Sequence, residues 1–147
     1  MVASEAMLLA TDALSSQRTT GFYMLSVCDW SESELADFAQ FHGSWESLLT
    51  FAMAYDTETK QLLYQRVFGT SVQHNVTQLL DMMYDGDFFS MCINLTRTER
   101  RKLTLKWGDD MEVFILIIDY IREHVIIPSI LQVKALISSH LMHCHFR

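Results

Sequence analysis

The densest run of potential metal ligands in the sequence is HLMHCH, near its carboxyl end. His140 and His143 are three residues apart and share one face of a helix, with Cys144 and His145 beside them. Imidazole and thiolate groups bind zinc, but a structural zinc site needs four ligands. No distant second pair of such residues accompanies the run, so we expect no metal site.

Two other short stretches could carry chemistry. YDGD, residues 84–87, places two carboxylates around a glycine, but it lacks the alternating oxygen ligands and the closing Glu of a calcium loop. RTERRK, residues 97–102, is a basic run that could bind an anion, although a solvated helix face is the simpler interpretation. The glycines form no phosphate-binding pattern. We therefore expect no cofactor and no enzymatic activity.

Composition and charge limit the class of protein. The 147 residues suit a single domain, 1–147, and half of them are apolar, with one Pro and five Gly. Such a composition is typical of long helices joined by short connections. The formal net charge of −7 argues against a nucleic-acid partner, because phosphate binding needs a basic face.

The cysteines and the apolar segments bear on location. Cys28, Cys92 and Cys144 are odd in number and far apart, which predicts no disulfide framework and a reducing compartment. The first residues lack the basic start of a signal peptide. Charged residues interrupt the apolar stretches near the carboxyl end, and a membrane span needs about 20 apolar residues. We expect a cytoplasmic protein without a membrane anchor.

Hydrophobic periodicity predicts an all-α protein of seven to eight helices. Ser31 with Glu34, and Thr96 with Glu99, have the spacing of a capping box at a helix start. Gly21, Gly43 and Gly69 are the expected helix stops. The predicted helical segments are 4–19, 31–43, 44–68, 71–84, 88–106, 111–125 and the residues after Pro128. Within 88–106 a fresh helix could start at Thr96, and Pro128 either ends the segment 111–125 or starts its successor.

The segment MEVFILIIDYIREHV, residues 111–125, is apolar on nearly all sides over its first two turns. A helix of this kind is normally surrounded by other helices. It is therefore predicted to be the central hydrophobic helix of the bundle.

The segment SVQHNVTQLLDMMYDG resembles the fourth helix of the Bcl-2 family and the turn into its first homology motif. An apolar helix leads there to an acidic-Gly corner, which Asp85 and Gly86 supply. The segments 6–21, 48–68 and 119–125 are similar to the family's first, second and sixth helices. The resemblance, which covers most of the chain, implies a Bcl-2-like bundle around a central helix.

The sequence departs from that family at two motifs. The family's Asn-Trp-Gly-Arg signature should follow Gly86, but Phe88, Phe89, Ser90 and Met91 follow it. Met91 cannot pair with the Asp of a bound helix as the signature Arg does; Arg66 or Arg97 are candidate substitutes. The Gly-Gly-Trp of the second motif is missing near Ser129. In an alternative register, KWGD at residues 106–109 is the degenerate signature.

The resemblance implies an inhibitor of apoptosis, of the divergent and anchorless kind carried by large DNA viruses. It would sequester Bim-like or Bak-like pro-apoptotic helices of the host in an apolar groove, and partners could take it to mitochondria. We also expect the protein to self-associate through the groove face, because an empty groove exposes a larger apolar patch than monomers usually tolerate. The expected groove residues are Tyr55, Leu62, Val67, Phe68, Val76, Leu79, Leu80, Met83, Phe88, Phe89 and Met91.

Two other functions remain open at this point. The chain could be a viral helical bundle that modulates host signalling through its outer helix faces, without binding pro-apoptotic helices. It could also be a capsid or assembly component. For each groove residue taken singly, packing in the core is the competing interpretation.

Overall fold

A computed structural model describes residues 2–145, and for His145 it describes the backbone only. All regular structure in this range is helical, as predicted. The helices are α1 (Ala3–Val27), α2 (Glu32–Tyr55), α3 (Thr57–Arg66), α4 (Ser71–Tyr84), α5 (Phe88–Ile93), α6 (Arg97–Ile121) and α7 (Ile127–His145), with a π-helical turn (Arg122–Ile126) joining the last two.

Helix α1 lies at the centre of the packing, between α2 and α6. Its buried side is mostly small or flexible apolar residues, and it includes one fully buried amide, Gln17. Gln17 accepts a hydrogen bond of 2.7 Å from Nε1 of Trp45 and donates one of 3.2 Å to the carbonyl of Phe38. Both partners belong to α2, so the amide fixes α1 against α2 without an unsatisfied polar group.

The expectation that the first helix stops near Gly21 was wrong. Helix α1 continues through Gly21 to Val27. At Gly21 the side chain of Trp107 in α6 packs directly against the α1 backbone. A Cβ atom at Gly21 would stand 2.6 Å from that indole ring. The indole Nε1 donates to the carbonyl of Arg18 at 2.9 Å, and Arg18 donates to the carbonyl of Gly108 at 2.9 Å. Glycine is here a close-approach residue and not a helix stop.

Gly43 was also expected to end a helix, but it lies inside the continuous α2. One glycine costs a helix only about 1 kcal/mol, and buried residues on either side hold this one together, among them Phe38 and Trp45. The chain breaks later, at Asp56, whose carboxylate accepts hydrogen bonds from the amide and the hydroxyl of Thr59 and so caps α3.

Both predicted capping boxes are confirmed. Ser31 and Glu34 exchange hydrogen bonds between side chain and backbone at the start of α2. Thr96 and Glu99 do the same at the start of α6. The basic run RTERRK therefore belongs to the first turns of α6, not to the preceding helix.

The segment predicted as the central hydrophobic helix is not surrounded by the bundle. It forms the second half of α6, which buries one stripe that includes Met111, Phe114 and Ile118. The opposite side leaves Leu116 and Tyr120 exposed. Helix α6 packs against α1, α3 and α4, and the side that carries Leu116 and Tyr120 faces away from them.

Pro128 lies at the second position of α7, which agrees with one of its two predicted roles, the start of the helix that follows residues 111–125. A proline inside a helix removes one backbone hydrogen bond, and a wider π-helical turn precedes it here. The hydroxyl of Ser129 donates to the carbonyl of Val125 at 2.8 Å. Helices α6 and α7 therefore run on through the turn. No helix in residues 2–145 combines the length and the hydropathy that a membrane crossing requires.

The prediction that the cysteines are unpaired was wrong for two of them. Cys28, the residue that ends α1, forms a disulfide with Cys92 of α5, with 5.6 Å between the Cα atoms. The two are 64 residues apart, and only the folded chain brings them together. Cys144 is free and exposed. The expectation of a reducing compartment rested on unpaired cysteines and loses that support.

Candidate protein-interaction surface

Most of the expected groove residues lie in the core. Helix α4 turns its apolar side toward α6, and the chain on either side of α4 adds one buried residue each. These residues are at most 5% exposed: Val67, Val76, Leu79, Leu80, Met83 and Phe88. Their side chains fill the bundle and do not line an open trench.

The other expected groove residues are distributed over separate surfaces. Leu62 and Phe68 are half-buried against the core. Tyr55 is exposed at the end of α2, where it stacks on Phe51. Phe89 and Met91 are exposed on α5.

The predicted corner is present between α4 and α5. Helix α4 ends at Tyr84, and a carboxylate oxygen of Asp85 accepts a hydrogen bond of 3.0 Å from the amide of Asp87. Gly86 lies in this turn, with open space where a Cβ atom would stand. The short α5 that follows packs on Trp30, whose ring stacks on Phe88 and meets Phe89 edge-on.

Helix α7 carries a long exposed apolar surface. Residues 131–144 are all exposed, so this part of the helix extends away from the bundle as an arm. At 1.5 Å per residue the arm is about 20 Å long. Its large apolar side chains are between 54 and 66% exposed: Leu131, Val133, Leu136, Ile137, Leu141 and Met142.

One stripe of the arm continues the packed side of the bundle. Ile126 is buried and Ile130 is packed against the core. Val133, Ile137 and Leu141 follow at helical spacing on the side of Ile130, but they have no partner. The sequence carries this signal as apolar residues at offsets of 3, 7 and 11 from Ile130. The sequence analysis predicted no interaction surface on this segment.

A concave surface lies where α7 leaves the bundle. It has a volume of about 750 Å³ and is bounded by the start of α1, the junction of α2 with α3, and the first turns of α7. Its carboxylates are those of Glu5, Asp56 and Glu58, and Lys134 is the single cation. We call this surface the acidic groove.

The histidines and the cysteine of HLMHCH lie at the tip of the arm. His140 and His143 are exposed, and Nδ1 of His143 is 3.3 Å from the carbonyl oxygen of Ser139. The side chain of His145 lies outside the described residues. Within the described part of the chain, no three His, Cys, Asp or Glu residues are grouped as metal ligands.

Comparisons with known proteins identify no relative: no protein-family model matches the chain, and neither a curated protein nor a solved structure is similar to it.

Proposed function

We propose that the protein acts by binding protein, through the exposed arm of α7, and that a second copy of the chain is the partner. The observation that carries the proposal is the apolar stripe of Val133, Ile137 and Leu141, which no other described residue covers and which continues from the half-buried Ile130 to the exposed Cys144. An apolar surface of this size exposed to water is unfavourable, and it typically marks a protein-binding site. Like the signalling protein considered above, it would act through an outer helix face, but its partner is a second copy of the chain and not a host protein.

The spacing of the stripe favours a second copy. Its members are Ile130, Val133, Ile137, Leu141 and Cys144, separated by 3, 4, 4 and 3 residues. These intervals are the same in both directions along the helix. Two copies packed antiparallel around a two-fold axis therefore place Ile137 against Ile137, Val133 against Leu141, and Ile130 against Cys144. A self-complementary patch of this kind is what a two-fold dimer requires.

Polar complementarity points to the same arrangement. Helix α7 contains no Asp or Glu, and the exposed His140 and His143 lie near its tip. Antiparallel pairing brings the tip of one arm to the base of the other, beside the acidic groove. There His140 and His143 of one copy approach the carboxylates of Glu5, Asp56 and Glu58 in the other. An imidazole N–H donates to a carboxylate oxygen whether or not the ring is charged, and such contacts across an interface favour the correct orientation.

Sedimentation equilibrium over a range of concentrations tests the proposal. We expect a concentration-dependent dimer, and we expect Ile137→Asp to be monomeric because it places two carboxylates at the two-fold axis. Gln132→Asp adds the same charge on the opposite side of the same helix and should leave the dimer intact. A wild-type monomer throughout, or equal dimerisation of the two variants, contradicts the proposal.

Cross-linking tests the antiparallel register separately. In a Cys144→Ser background, Ile137→Cys should form a disulfide-linked dimer under mild oxidation, because the two Cβ atoms meet at the axis. Gln132→Cys in the same background is the matched control and should stay monomeric under denaturing, non-reducing electrophoresis. Equal yields from the two cysteines contradict the register.

The resemblance to the Bcl-2 family supports a second candidate function, sequestration of Bim-like or Bak-like helices. The acidic-Gly corner after α4 favours it. Because the apolar side of α4 is buried against α6, a ligand helix would have to displace that packing before it could bind.

Calorimetry with pro-apoptotic peptides tests this second candidate. Met91 offers no cation to the ligand's Asp, so an Asp→Ala change in the peptide should weaken binding less than the one to two decades of a charge-assisted hydrogen bond. A loss of a hundredfold or more contradicts this expectation. If no pro-apoptotic peptide binds, the candidate is excluded and self-assembly through α7 is unaffected.

A further inference from the structure

A second concave surface is formed by α1 and the start of α6. It has a volume of about 670 Å³ and is lined by Phe22, Ser26, Arg97, Arg100, Arg101, Thr104 and Leu105. Three of these seven residues are arginines, in a protein whose net charge is −7. We call it the arginine pocket.

The three guanidinium groups have no carboxylate partner among the described residues. The ion pairs of residues 2–145 involve Arg18 and Arg122 but none of the three. Arg18, one helix turn away along α1, shows the contrast: it donates to the carbonyl of Gly108 and lies 3.9 Å from Glu112. Three cations held together without an anion repel one another, and a bound anion relieves that repulsion.

Arg100 provides an independent observation. Its Nε atom is buried and has no hydrogen-bond partner in the structure. A buried N–H group of a charged side chain is costly when left unsatisfied. When the Arg100 side chain turns so that Nε faces the pocket, an oxyanion held by the guanidinium fork supplies the missing acceptor, since guanidinium geometry matches phosphate and carboxylate oxygens.

We propose that the arginine pocket binds an organic phosphate with a planar group, of the size of a nucleotide. The phosphates pair with Arg97, Arg100 and Arg101. The planar group packs on the exposed ring of Phe22 and on Leu105, which form the apolar wall. The volume is within the usual range for small-molecule sites, about 300–1,000 Å³.

Calorimetry with ATP, pyrophosphate and adenosine as probes tests the site. We expect ATP to bind, pyrophosphate to bind more weakly because it lacks contact with Phe22, and adenosine to bind least. Arg100→Gln should weaken ATP about tenfold or more, the effect of one lost charge-assisted contact. Lys102→Gln removes one charge from the same helix outside the pocket and is the matched control.

Three outcomes would overturn the proposal. One is the absence of ATP binding to the folded wild-type protein. Another is equal weakening by Arg100→Gln and Lys102→Gln, which indicates attraction by net charge alone. The third is binding to vesicles that contain a phosphoinositide without binding to ATP, which would assign the arginines to a lipid headgroup. Phe22→Ala separates the two parts of the ligand: it should weaken ATP and leave pyrophosphate unchanged.

Discussion

At the scale of single residues, two contacts of Trp107 hold α6 against α1, and both depend on the absence of a side chain at Gly21. The Trp107 ring fits over Gly21, and its Nε1 reaches the carbonyl of Arg18. Gly21 was predicted to end a helix because glycine more often ends a helix than provides space for an aromatic ring of a neighbouring helix. Only the position of Trp107, 86 residues later, distinguishes the two roles.

Gly21→Ala should destabilise the protein by about 1–3 kcal/mol, the usual cost of overpacking a filled site. The new methyl group would stand 2.6 Å from the indole ring. Gly43→Ala is the matched control in α2, where no atom lies within 4 Å of the added Cβ. It should stabilise by about 0.5–1 kcal/mol, because alanine favours a helix interior. Urea unfolding measures both, and equal effects would refute the assigned role of Gly21.

The phenol of Tyr84 should determine part of the protein's response to alkali. Burial raises the pKa of Tyr84 to about 12; a hydrogen bond to Gln17 opposes the shift and the charge of Glu46 adds to it. A tyrosine in the unfolded chain ionises near 10. The folded state thus holds the proton more tightly, so this stabilisation is complete below pH 10 and is lost as pH rises from 10 to 12.

Tyr84→Phe removes the titrating proton, so the free energy of unfolding should fall less steeply between pH 10 and 12 than in the wild type. Urea titrations at several pH values measure the slope. An unchanged slope in the variant would mean that Tyr84 does not contribute to it.

At the scale of elements, the predicted features that proved correct are local in the sequence. Helix α4 has the predicted bounds, and its apolar residues occupy one side. The capping boxes at Ser31 and Thr96 depend only on residues three positions apart, and both are present. What the sequence did not disclose depends on distant packing: the place of Gly21, the exposed side of α6, and the pairing of Cys28 with Cys92.

The disulfide is the element-scale feature with the largest expected effect on stability. It ties the end of α1 to α5, the six-residue helix whose Phe88 and Phe89 pack on Trp30. Closing a loop of 64 residues restricts the unfolded chain, and by the chain-entropy account this contributes about 4 kcal/mol.

Cys28→Ser with Cys92→Ser should therefore lower the stability of the oxidised protein by about 4 kcal/mol, or less if native packing relaxes. Guanidinium unfolding without reductant measures the change. Cys144→Ser, at the free and exposed cysteine, should have no effect. Added reductant should lower the wild type to the level of the double variant. If it does not, the disulfide contributes no stability.

At the scale of the whole molecule, the bundle and the arm differ in what supports them. Helices α1, α2 and α6 hold one another through buried residues along their lengths. The arm of α7 has no such support beyond Ile130. The candidate groove was sought in the centre of the sequence, and most of its residues proved to be core. An exposed apolar surface lies instead on residues 131–144. The apolar periodicity of that segment is equally compatible with core packing, and only the structure shows that the segment extends beyond the bundle.

This difference predicts how the arm behaves in solution. An isolated helix of about 15 residues is marginally stable in water, so an unpaired arm should open readily. Pairing with a second copy buries Val133, Ile137 and Leu141 and should protect the arm.

The amides of residues 131–145 should therefore exchange hydrogen rapidly in dilute protein and slowly in concentrated protein, while those of α1 stay protected throughout. Ile137→Asp should make the exchange of the arm rapid at every concentration. Slow exchange in this monomeric variant would show that the helix of the arm is stable without a partner, which contradicts the prediction that dimerisation stabilises it.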